Sequence, residues 1–344
     1  MNRDTSHARN YHRLTSHSYL SVRSTAHHLD WANMPSPFKV YPHIDPIPLP
    51  RDLLRTGKPA LECLSASFTS QETSITPSLD QLAAILYFSA GVTRTKTYPG
   101  GQIYFRAAAC AGALYPIETY VVCSKIEGLE AGVYHFSPGD FALRLLRKGD
   151  HRQSLVEATA GDERISRAPI VLVYTAISWR STWKYRDRAY RYHFWDNGMV
   201  LANALAMASA QALPARLVMG FIDEKVNNLV GADGQRELSL SLLTLGTTSD
   251  RAAPAEADLK PLNPEVIPLS HSQRDYHSII EMNRASSLTD EGEVAAWRDS
   301  RAKGLDDHST REEHGSNIPL QPLETERQPE EAIEDVIQRR ASTR

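Results

Sequence analysis

Residues 105–118 constrain the fold more than any other part of the chain. They read FRAAACAGALYPIE, in which one arginine precedes a run of very small side chains and Gly112 interrupts that run. Small side chains let a backbone approach a bound group closely, and glycine removes the steric limit altogether. Residues 117–123, which follow Pro116, are apolar enough for a buried strand. The sequence therefore predicts a ligand-facing turn that leads into a core strand, although the same composition also suits a small-residue turn packed under a helix.

Composition narrows the class of protein. A chain of 344 residues can hold two domains, or one domain and a long tail. The net charge of -3 gives no reason to expect nucleic acid or a charged membrane surface as a partner. The three cysteines show neither metal-ligand nor disulfide-framework spacing, which favours a reducing, cytoplasmic setting. There is no apolar signal core and no apolar run long enough to span a membrane.

Shifts in composition divide the chain into four parts. Residues 1–50 are rich in histidine and proline and predict an extended arm. Their histidines lack the spacing of metal ligands, so a solvated arm is favoured over a metal site and no metal is predicted. Residues 51–250 form the regular domain, residues 251–328 have the composition of a polar, disordered linker, and residues 329–344 predict an amphipathic helix.

Within the domain the pattern predicts both helices and strands. Ser78 is placed to cap a helix that ends near Gly91, and a long alanine-rich helix is expected later in the chain. Buried or paired strands are expected where apolar residues run continuously. The expected elements are helices over residues 79–90, 196–213 and 223–230, and strands over residues 117–123, 132–136, 170–176 and 238–245.

Three segments carry candidate chemistry. Arg106 and the turn that follows it offer a cation and backbone N–H groups, which suit a phosphate or the polar edge of a flat ring. Residues 183–191 combine basic and aromatic side chains, among which Lys184 or Tyr185 can act as a general base or acid. Alternatively this segment is a solvated basic loop; nucleic-acid binding is disfavoured by the acidic balance elsewhere. Residues 214–221 form either the backbone wall of a ligand site or simply a strand.

In this order, these segments resemble the nitroreductase-like flavin proteins. They are most similar to the streptolysin-type (SagB-type) peptide dehydrogenases, which oxidise thiazolines and oxazolines to thiazoles and oxazoles. The resemblance covers about residues 10–246, and the order and spacing of its motifs are more specific than any single one. The motifs are residues 11–18, residues 31–42, Arg106 with residues 112–116, Lys184-Tyr185, and Asp196 with Gly198 and Asn203.

The resemblance implies an α+β fold, a nitroreductase-like FMN-binding sandwich with a central, mostly antiparallel sheet, flanked here by an irregular N-terminal arm and a largely disordered C-terminal tail. It implies FMN as cofactor, a peptide or small-molecule substrate, and a homodimer or a pseudo-dimer with a second nitroreductase-like module. Lys184 and Tyr185 match the catalytic pair of azoline oxidation. The residues expected at the flavin are Arg106, Cys110, Ala111, Gly112, Ala113, Leu114, Met219 and Gly220.

Two departures from the family pattern bear on the cofactor. Ala109-Cys110 stands where the family usually has Pro-Ser, and residues 61–68 lack the Arg-Arg-Ser-x-Arg phosphate clamp of the family's first helix. Loss of charge-assisted phosphate contacts would weaken FMN binding. Residues 333–344 look like that clamp helix opening a second nitroreductase-like copy, or else form a chance amphipathic basic tail.

Three functions follow from these observations. The first is an FMN-dependent oxidoreductase that dehydrogenates azoline or similar groups in peptides. The second is a degenerate, non-catalytic half that pairs with an intact flavin module, which the missing clamp favours and the Lys184-Tyr185 pair opposes. The third is a generic nitro or quinone reductase, which would not need Lys184-Tyr185.

Overall fold

A seven-stranded sheet organises the chain. The computed structural model describes residues 5–24, 28–65, 74–99, 101–252, 259–306, 318–319, 321, 323–324 and 328–340. The strands are β1 (Pro46–Pro48), β2 (Val92–Tyr98), β3 (Gly101–Arg106), β4 (Ile117–Cys123), β5 (Gly132–Ser137), β6 (Ala142–Lys148), β7 (Ile170–Ile177), β8 (Ala215–Val218) and β9 (Glu237–Leu245). The sheet order is β1-β6-β5-β4-β7-β9-β8, with every neighbouring pair antiparallel, and β2 pairs with β3 in a separate hairpin. The predicted α+β class with an antiparallel sheet is confirmed.

Helices cover both faces of this sheet. They are α1 (Ser6–Thr15), α2 (Tyr19–Ser24), α3 (Ala60–Ser65), α4 (Leu79–Ala90), α5 (Arg152–Ala158), α6 (Glu163–Ser166), α7 (Ser178–Tyr185), α8 (Ala189–Ala210), α9 (Asp223–Val230), α10 (His277–Ser286), α11 (Glu291–Asp306) and α12 (Ile333–Arg339). Every residue of β4, β7 and β9 is buried, because α4 and α8 pack on one face and α5 and α9 on the other. None of the helices in the described ranges is long and apolar enough to cross a membrane.

The start of α4 follows the predicted capping pattern. The Gln81 backbone N–H donates to Ser78 Oγ at 3.3 Å, and the Ser78 N–H donates to Gln81 Oε1 at 3.0 Å. This reciprocal pair satisfies two backbone donors that a helix start otherwise leaves free. The helix then places Leu82, Leu86 and its other apolar residues in the core beside α8.

The basic segment at residues 183–191 is not a solvated loop. It comprises the end of α7, a 3-10 turn over Arg186–Arg188 and the first turn of α8, which begins seven residues before the predicted start. Its arginines bind the N-terminal helix: Arg191 Nε donates to Thr15 Oγ1 at 3.0 Å, and Arg188 donates to the Thr15 carbonyl. Arg188 and Arg191 therefore share one partner residue, Thr15, on α1.

Regular structure extends beyond the predicted domain at both ends. Helices α1 and α2 lie within the arm, where an extended segment is predicted, and α10 and α11 lie within the residues predicted as a polar linker. Buried Ile279 on α10 and Val294 on α11 attach these helices to the body of the protein. Few apolar residues suffice because each occupies one face of a short helix.

Helix α12 packs on the domain of the same chain. Ile333 and Ile337 are buried, and the backbone pairs with the segment before α3 through Ile333 N to Lys58 O at 2.9 Å. The buried carboxylate of Glu334 accepts the backbone N–H of Thr56 at 2.7 Å and its hydroxyl at 2.9 Å. The helix that resembles the opening of a second copy thus forms part of this domain's surface; residues 341–344 lie outside the described residues.

Candidate functional site

The turn between β3 and β4 adopts an unusual backbone. Gly112 has φ 66°, and Ala113 and Tyr115 also have positive φ values of 54° and 49°. Left-handed conformations cost non-glycine residues of order 1–3 kcal/mol each and persist only where the surroundings enforce them. Here Cys110 enforces them, since its carbonyl accepts the Ala113 N–H at 3.2 Å and its sulfur accepts the Tyr115 N–H at 3.0 Å.

The structure brings the predicted Lys184-Tyr185 pair onto this turn. A methyl group added at Gly112 would lie 2.7 Å from the Tyr185 hydroxyl oxygen and 3.1 Å from Lys184 Nζ. Glycine is thus required twice, for its backbone angle and for the space that these two side chains occupy. The amine also lies 5.4 Å from the centre of the Tyr185 ring. A potential acid–base pair therefore sits directly against the small-residue turn.

Tyr185 is held as a neutral phenol. Burial, followed by the neighbouring Tyr192, Cys110 and Asp196, raises the pKa of Tyr185 to about 12. The Tyr192 ring lies 4.4 Å from the Tyr185 ring, centre to centre. A phenol that keeps its proton at neutral pH can donate a hydrogen bond or a proton, but it is a poor base.

Arg106 supplies a buried cation at the start of the turn. Its Nη2 donates to the Pro37 carbonyl at 2.6 Å and its Nη1 to the Ile117 carbonyl at 3.3 Å, whereas its buried Nε has no hydrogen-bond partner among the described residues. Burial lowers the pKa of Arg106 to about 10, which leaves it charged at neutral pH. The guanidinium lines a small cavity with Ala108, Cys110 and other residues of the turn.

Asp196 is a member of this site that the residue-by-residue reading missed. Its carboxylate accepts the Ala111 N–H at 2.9 Å, and Cys110 Sγ lies 3.2 Å from its second oxygen. Burial raises the pKa of Asp196 to about 6, and burial together with Asp196 raises that of Cys110 well above its usual value. The sequence signals were its place in the motif with Gly198 and Asn203 and its position as an acidic residue on the apolar side of a helix.

A buried network of charged side chains is bonded to the end of the turn. Glu118 on β4 contacts Arg180 on α7, and its other oxygen lies 2.6 Å from His135 Nε2. Burial alone would raise the pKa of Glu118, but Arg180 and His135 outweigh it and hold that pKa well below its usual range. Arg180 also donates to the carbonyls of Ser36 at 2.9 Å and Tyr115 at 3.0 Å. A charged residue inside an apolar strand was the sequence signal for this network.

The remaining predicted residues divide into two groups. Ala111 and Ala113 lie in the turn, and Leu114 is buried beside Trp179 and Trp183. Met219 and Gly220 follow β8, and two strands, β7 and β9, lie between β8 and β4 in the sheet. Neither residue is among the described residues that line the cavity. Gly220 instead faces α11, where an added methyl group would lie 2.5 Å from Trp297 Cε3. Their place at a flavin stays a prediction.

A second arginine reaches the turn from α12. Arg340 Nη2 donates to the Ala107 carbonyl at 3.0 Å and lies 3.4 Å from the Arg106 carbonyl. Residues 61–65, which lack the expected arginines, form most of α3 directly beneath α12; residues 66–68 lie outside the described residues. Helix α12 therefore brings an arginine to the start of this turn, next to α3, whose residues 61–65 contain no arginine.

These residues fit FMN. The small side chains of the turn would let a flat ring lie against its backbone, and the Nε of Arg106, which has no hydrogen-bond partner among the described residues, would offer a donor to the polar edge of that ring. Arg340 adds a half-buried cation of the kind that binds phosphate. The Lys184-Tyr185 pair stands beside the same turn, where a substrate would meet the ring.

The sequence of this chain is similar to those of several known proteins. The sequence profile described as the nitroreductase family matches residues 73–247. The chain is 30% identical over 168 residues to the Methanocaldococcus jannaschii protein MJ1384, named for the nitroreductases, covering 49% of this chain and 80% of that protein. It is 30% identical over 144 residues to the microcin B17-processing protein McbC of Escherichia coli, covering 40% of this chain and 53% of McbC.

A solved structure shares the fold. It is the crystal structure of an Anabaena variabilis protein described as a nitroreductase, which superposes with a TM-score of 0.63 at 28% identity. The match covers 83% of this chain and 55% of that one. The chain thus spans about half the length of McbC and of the Anabaena protein.

Proposed function

This chain belongs to the nitroreductase family, and on that basis we propose that it is an FMN-dependent oxidoreductase that dehydrogenates azoline rings in peptides. The observation that carries the proposal is the contact of Lys184 and Tyr185 with the Gly112 turn. A generic nitro or quinone reductase has no need for an acid–base pair at this position. The name of McbC, a microcin-processing protein, supports a peptide as the substrate.

The two side chains divide the proton chemistry. Oxidation of an azoline to an azole removes one proton and one hydride from adjacent ring atoms. FMN, when bound, supplies the hydride acceptor. Because the pKa of Tyr185 is raised to about 12, its phenol serves as the donor that orients the substrate. Lys184, whose amine borders the same turn, accepts the proton.

Arg106 and Arg340 hold the cofactor in this proposal. Arg106 is fixed by the carbonyls of Pro37 and Ile117, and its Nε–H, which has no partner among the described residues, is the donor left for the cofactor. Arg340, at the end of α12, takes the part of the missing phosphate clamp. The degenerate-half alternative depended on the absence of that clamp and loses its main support.

We also propose that a second nitroreductase-like module covers α8. Phe194, Trp195 and Met199 on this helix are exposed by 38%, 54% and 39%, respectively. Large apolar side chains at this helical spacing form an apolar strip that a partner surface would bury. Light scattering of the purified chain tests this proposal. We expect the wild type to be a dimer, and a monomer in both the wild type and Trp195→Ala would contradict the proposal.

The test of function combines cofactor binding with a single turnover. The purified chain is titrated with FMN and followed by flavin fluorescence, and the loaded protein is then mixed anaerobically with an azoline-containing peptide. We expect micromolar or tighter binding and bleaching of the visible flavin band. Lys184→Ala and Tyr185→Phe should retain FMN but bleach at least tenfold more slowly, since general acid–base groups contribute roughly 10²–10⁴-fold.

Matched controls separate a site effect from a fold effect. Tyr174→Phe removes a buried hydroxyl that has no partner among the described residues, and Lys125→Ala removes a surface amine paired with Glu130. Both should bleach like the wild type. Absence of flavin binding at micromolar FMN would refute the proposal. Bleaching that is independent of Lys184 and Tyr185, with full turnover of a nitroarene, would favour the generic reductase instead.

A further inference from the structure

Asp196 connects the longest helix to the flavin-facing turn. It lies on α8, is 5% exposed, and receives bonds from two consecutive residues of the turn, the Ala111 N–H and the Cys110 thiol. Cys110 in turn accepts the Tyr115 N–H. One carboxylate thereby fixes Cys110 and Ala111, which directly precede Gly112, and Cys110 connects it to Tyr115 on the other side of Gly112.

No cation neutralises this carboxylate among the described residues. The groups that face it are Cys110 and Tyr115 from the turn, Tyr185 from α7 and Arg106 from β3. Arg106 shares the cavity, but two of its donors bind the carbonyls of Pro37 and Ile117, and no ion pair joins it to Asp196 among the described residues. A buried carboxylate without an ion pair is costly for the fold, so a structural role alone gives no reason for a charged group here.

We propose that Asp196 is a positioning residue whose ionised carboxylate holds the 110–113 turn in its flavin-binding form, so that cofactor affinity follows the protonation of Asp196. This inference rests on the proposed FMN-dependent function. The ionised carboxylate accepts both the Ala111 N–H and the Cys110 S–H. The protonated acid has its own O–H to place and competes with the thiol as a donor, which loosens the turn.

The sign of the pH dependence follows from the direction of the shift. The pKa of Asp196 is raised to about 6, so its ionisation costs the folded state: the stability that it contributes is full below about pH 4 and is lost as the pH rises through about 6. Cofactor binding runs the opposite way and should strengthen as the pH rises through the same range. A residue with a purely structural role would not make folding stability and FMN affinity change in opposite directions with pH.

A matched aspartate provides the control. Asp223, at the start of α9, is also buried with its pKa raised to about 6, and it accepts the Leu288 N–H at 2.9 Å. It lies at a different cleft, lined by α9 and α10. Asp196→Asn and Asp223→Asn should therefore change stability alike, whereas only the first should change FMN binding.

The experiment measures the FMN dissociation constant of the full chain between about pH 5 and about pH 8 by flavin fluorescence, with thermal melts of the same samples. The phosphate of FMN itself titrates near pH 6, so the ratio of variant to wild type is the informative quantity. At high pH we expect Asp196→Asn to weaken binding by on the order of tenfold without lowering the melting temperature. Toward low pH the two curves should converge, while Asp223→Asn follows the wild type throughout.

Substitution of the thiol provides a rescue. Cys110→Ser keeps a donor for Asp196 and should retain the pH dependence of FMN binding, whereas Cys110→Ala should lose that dependence as Asp196→Asn does. If Asp196→Asn and the wild type have equal FMN dissociation constants at every pH, or if Asp223→Asn shows the same pH-dependent change, the positioning role is overturned while the proposed function stands. Failure of the wild type to bind FMN at any pH would overturn the proposed function as well.

Discussion

Replacing Arg340 tests whether the last described helix completes the cofactor site. Arg340 follows α12 directly, and its guanidinium lies 3.0 Å from the Ala107 carbonyl at the start of the flavin-facing turn. Two buried side chains, Ile333 and Ile337, attach the helix independently of it. Each is worth about 1.5–3 kcal/mol of apolar burial, so α12 should stay docked in Arg340→Ala.

The expected effect falls on FMN rather than on folding. A hydrogen bond between an arginine and a charged phosphate contributes about 1.5–3 kcal/mol, which corresponds to a roughly 10- to 100-fold rise in the FMN dissociation constant. The half-exposed bonds to the Ala107 and Arg106 carbonyls contribute far less to stability. We therefore expect the free energy of unfolding in urea to change by under about 1 kcal/mol.

Riboflavin and Arg339 provide the controls. Riboflavin has the same ring without the phosphate, so Arg340→Ala should leave its affinity unchanged in the same fluorescence titration. Arg339 precedes Arg340, but its guanidinium pairs with Glu331 Oε2 at 2.5 Å on the surface, so Arg339→Ala should bind FMN like the wild type. An equal loss for riboflavin and FMN, or no loss for FMN, would refute a phosphate contact by Arg340.

Three further substitutions probe other parts of the structure. Gly112→Ala should cost about 1–2 kcal/mol in backbone strain and displace the Tyr185 hydroxyl. We therefore expect a lower melting temperature together with slower bleaching of the flavin by azoline peptide. Unchanged bleaching would contradict the contact between Gly112 and Tyr185. Glu118→Gln should lower the free energy of unfolding in urea by about 3–5 kcal/mol, because Arg180 is left buried without its anion. Since the pKa of Glu118 is lowered, the wild-type carboxylate stays ionised and this loss should persist in mild acid. A loss under about 1 kcal/mol would argue against the network. Ser78→Ala should cost about 1 kcal/mol at the α4 cap while leaving FMN affinity unchanged, as thermal melts and titration can show.

Local signals predicted those parts of the fold that local interactions determine. Helix α4 begins at its capping serine and ends before Gly91, and β4 begins directly after Pro116, as the sequence indicated. The resemblance assigned Gly112 to the flavin and Lys184-Tyr185 to catalysis, but it did not predict that these two side chains contact Gly112. A glycine within a run of alanines is a local feature, whereas the side chains that fill its space come from another helix.

Contacts between distant segments could not be predicted in this way. The pairing of Ile333 with Lys58 joins residues at opposite ends of the chain, and nothing in either segment specifies the other. The early start of α8 has the same origin, since Arg188 and Arg191 are placed by their bonds to Thr15 on α1. Basic residues close in sequence suggest a solvated loop until the residue that accepts their hydrogen bonds is known.

The assembly of the site explains why its buried cations are arginines. Arg106 bonds to the carbonyls of Pro37 and Ile117, and Arg180 to those of Ser36 and Tyr115 as well as to Glu118. Each guanidinium thus joins the N-terminal arm to the turn or its strand, which one ammonium group cannot do with the same fixed geometry. Because the arm contributes carbonyls to these bonds, they do not depend on the identity of its side chains. The conformation of the turn and of the start of β4 therefore depends on the two arginines and on Asp196.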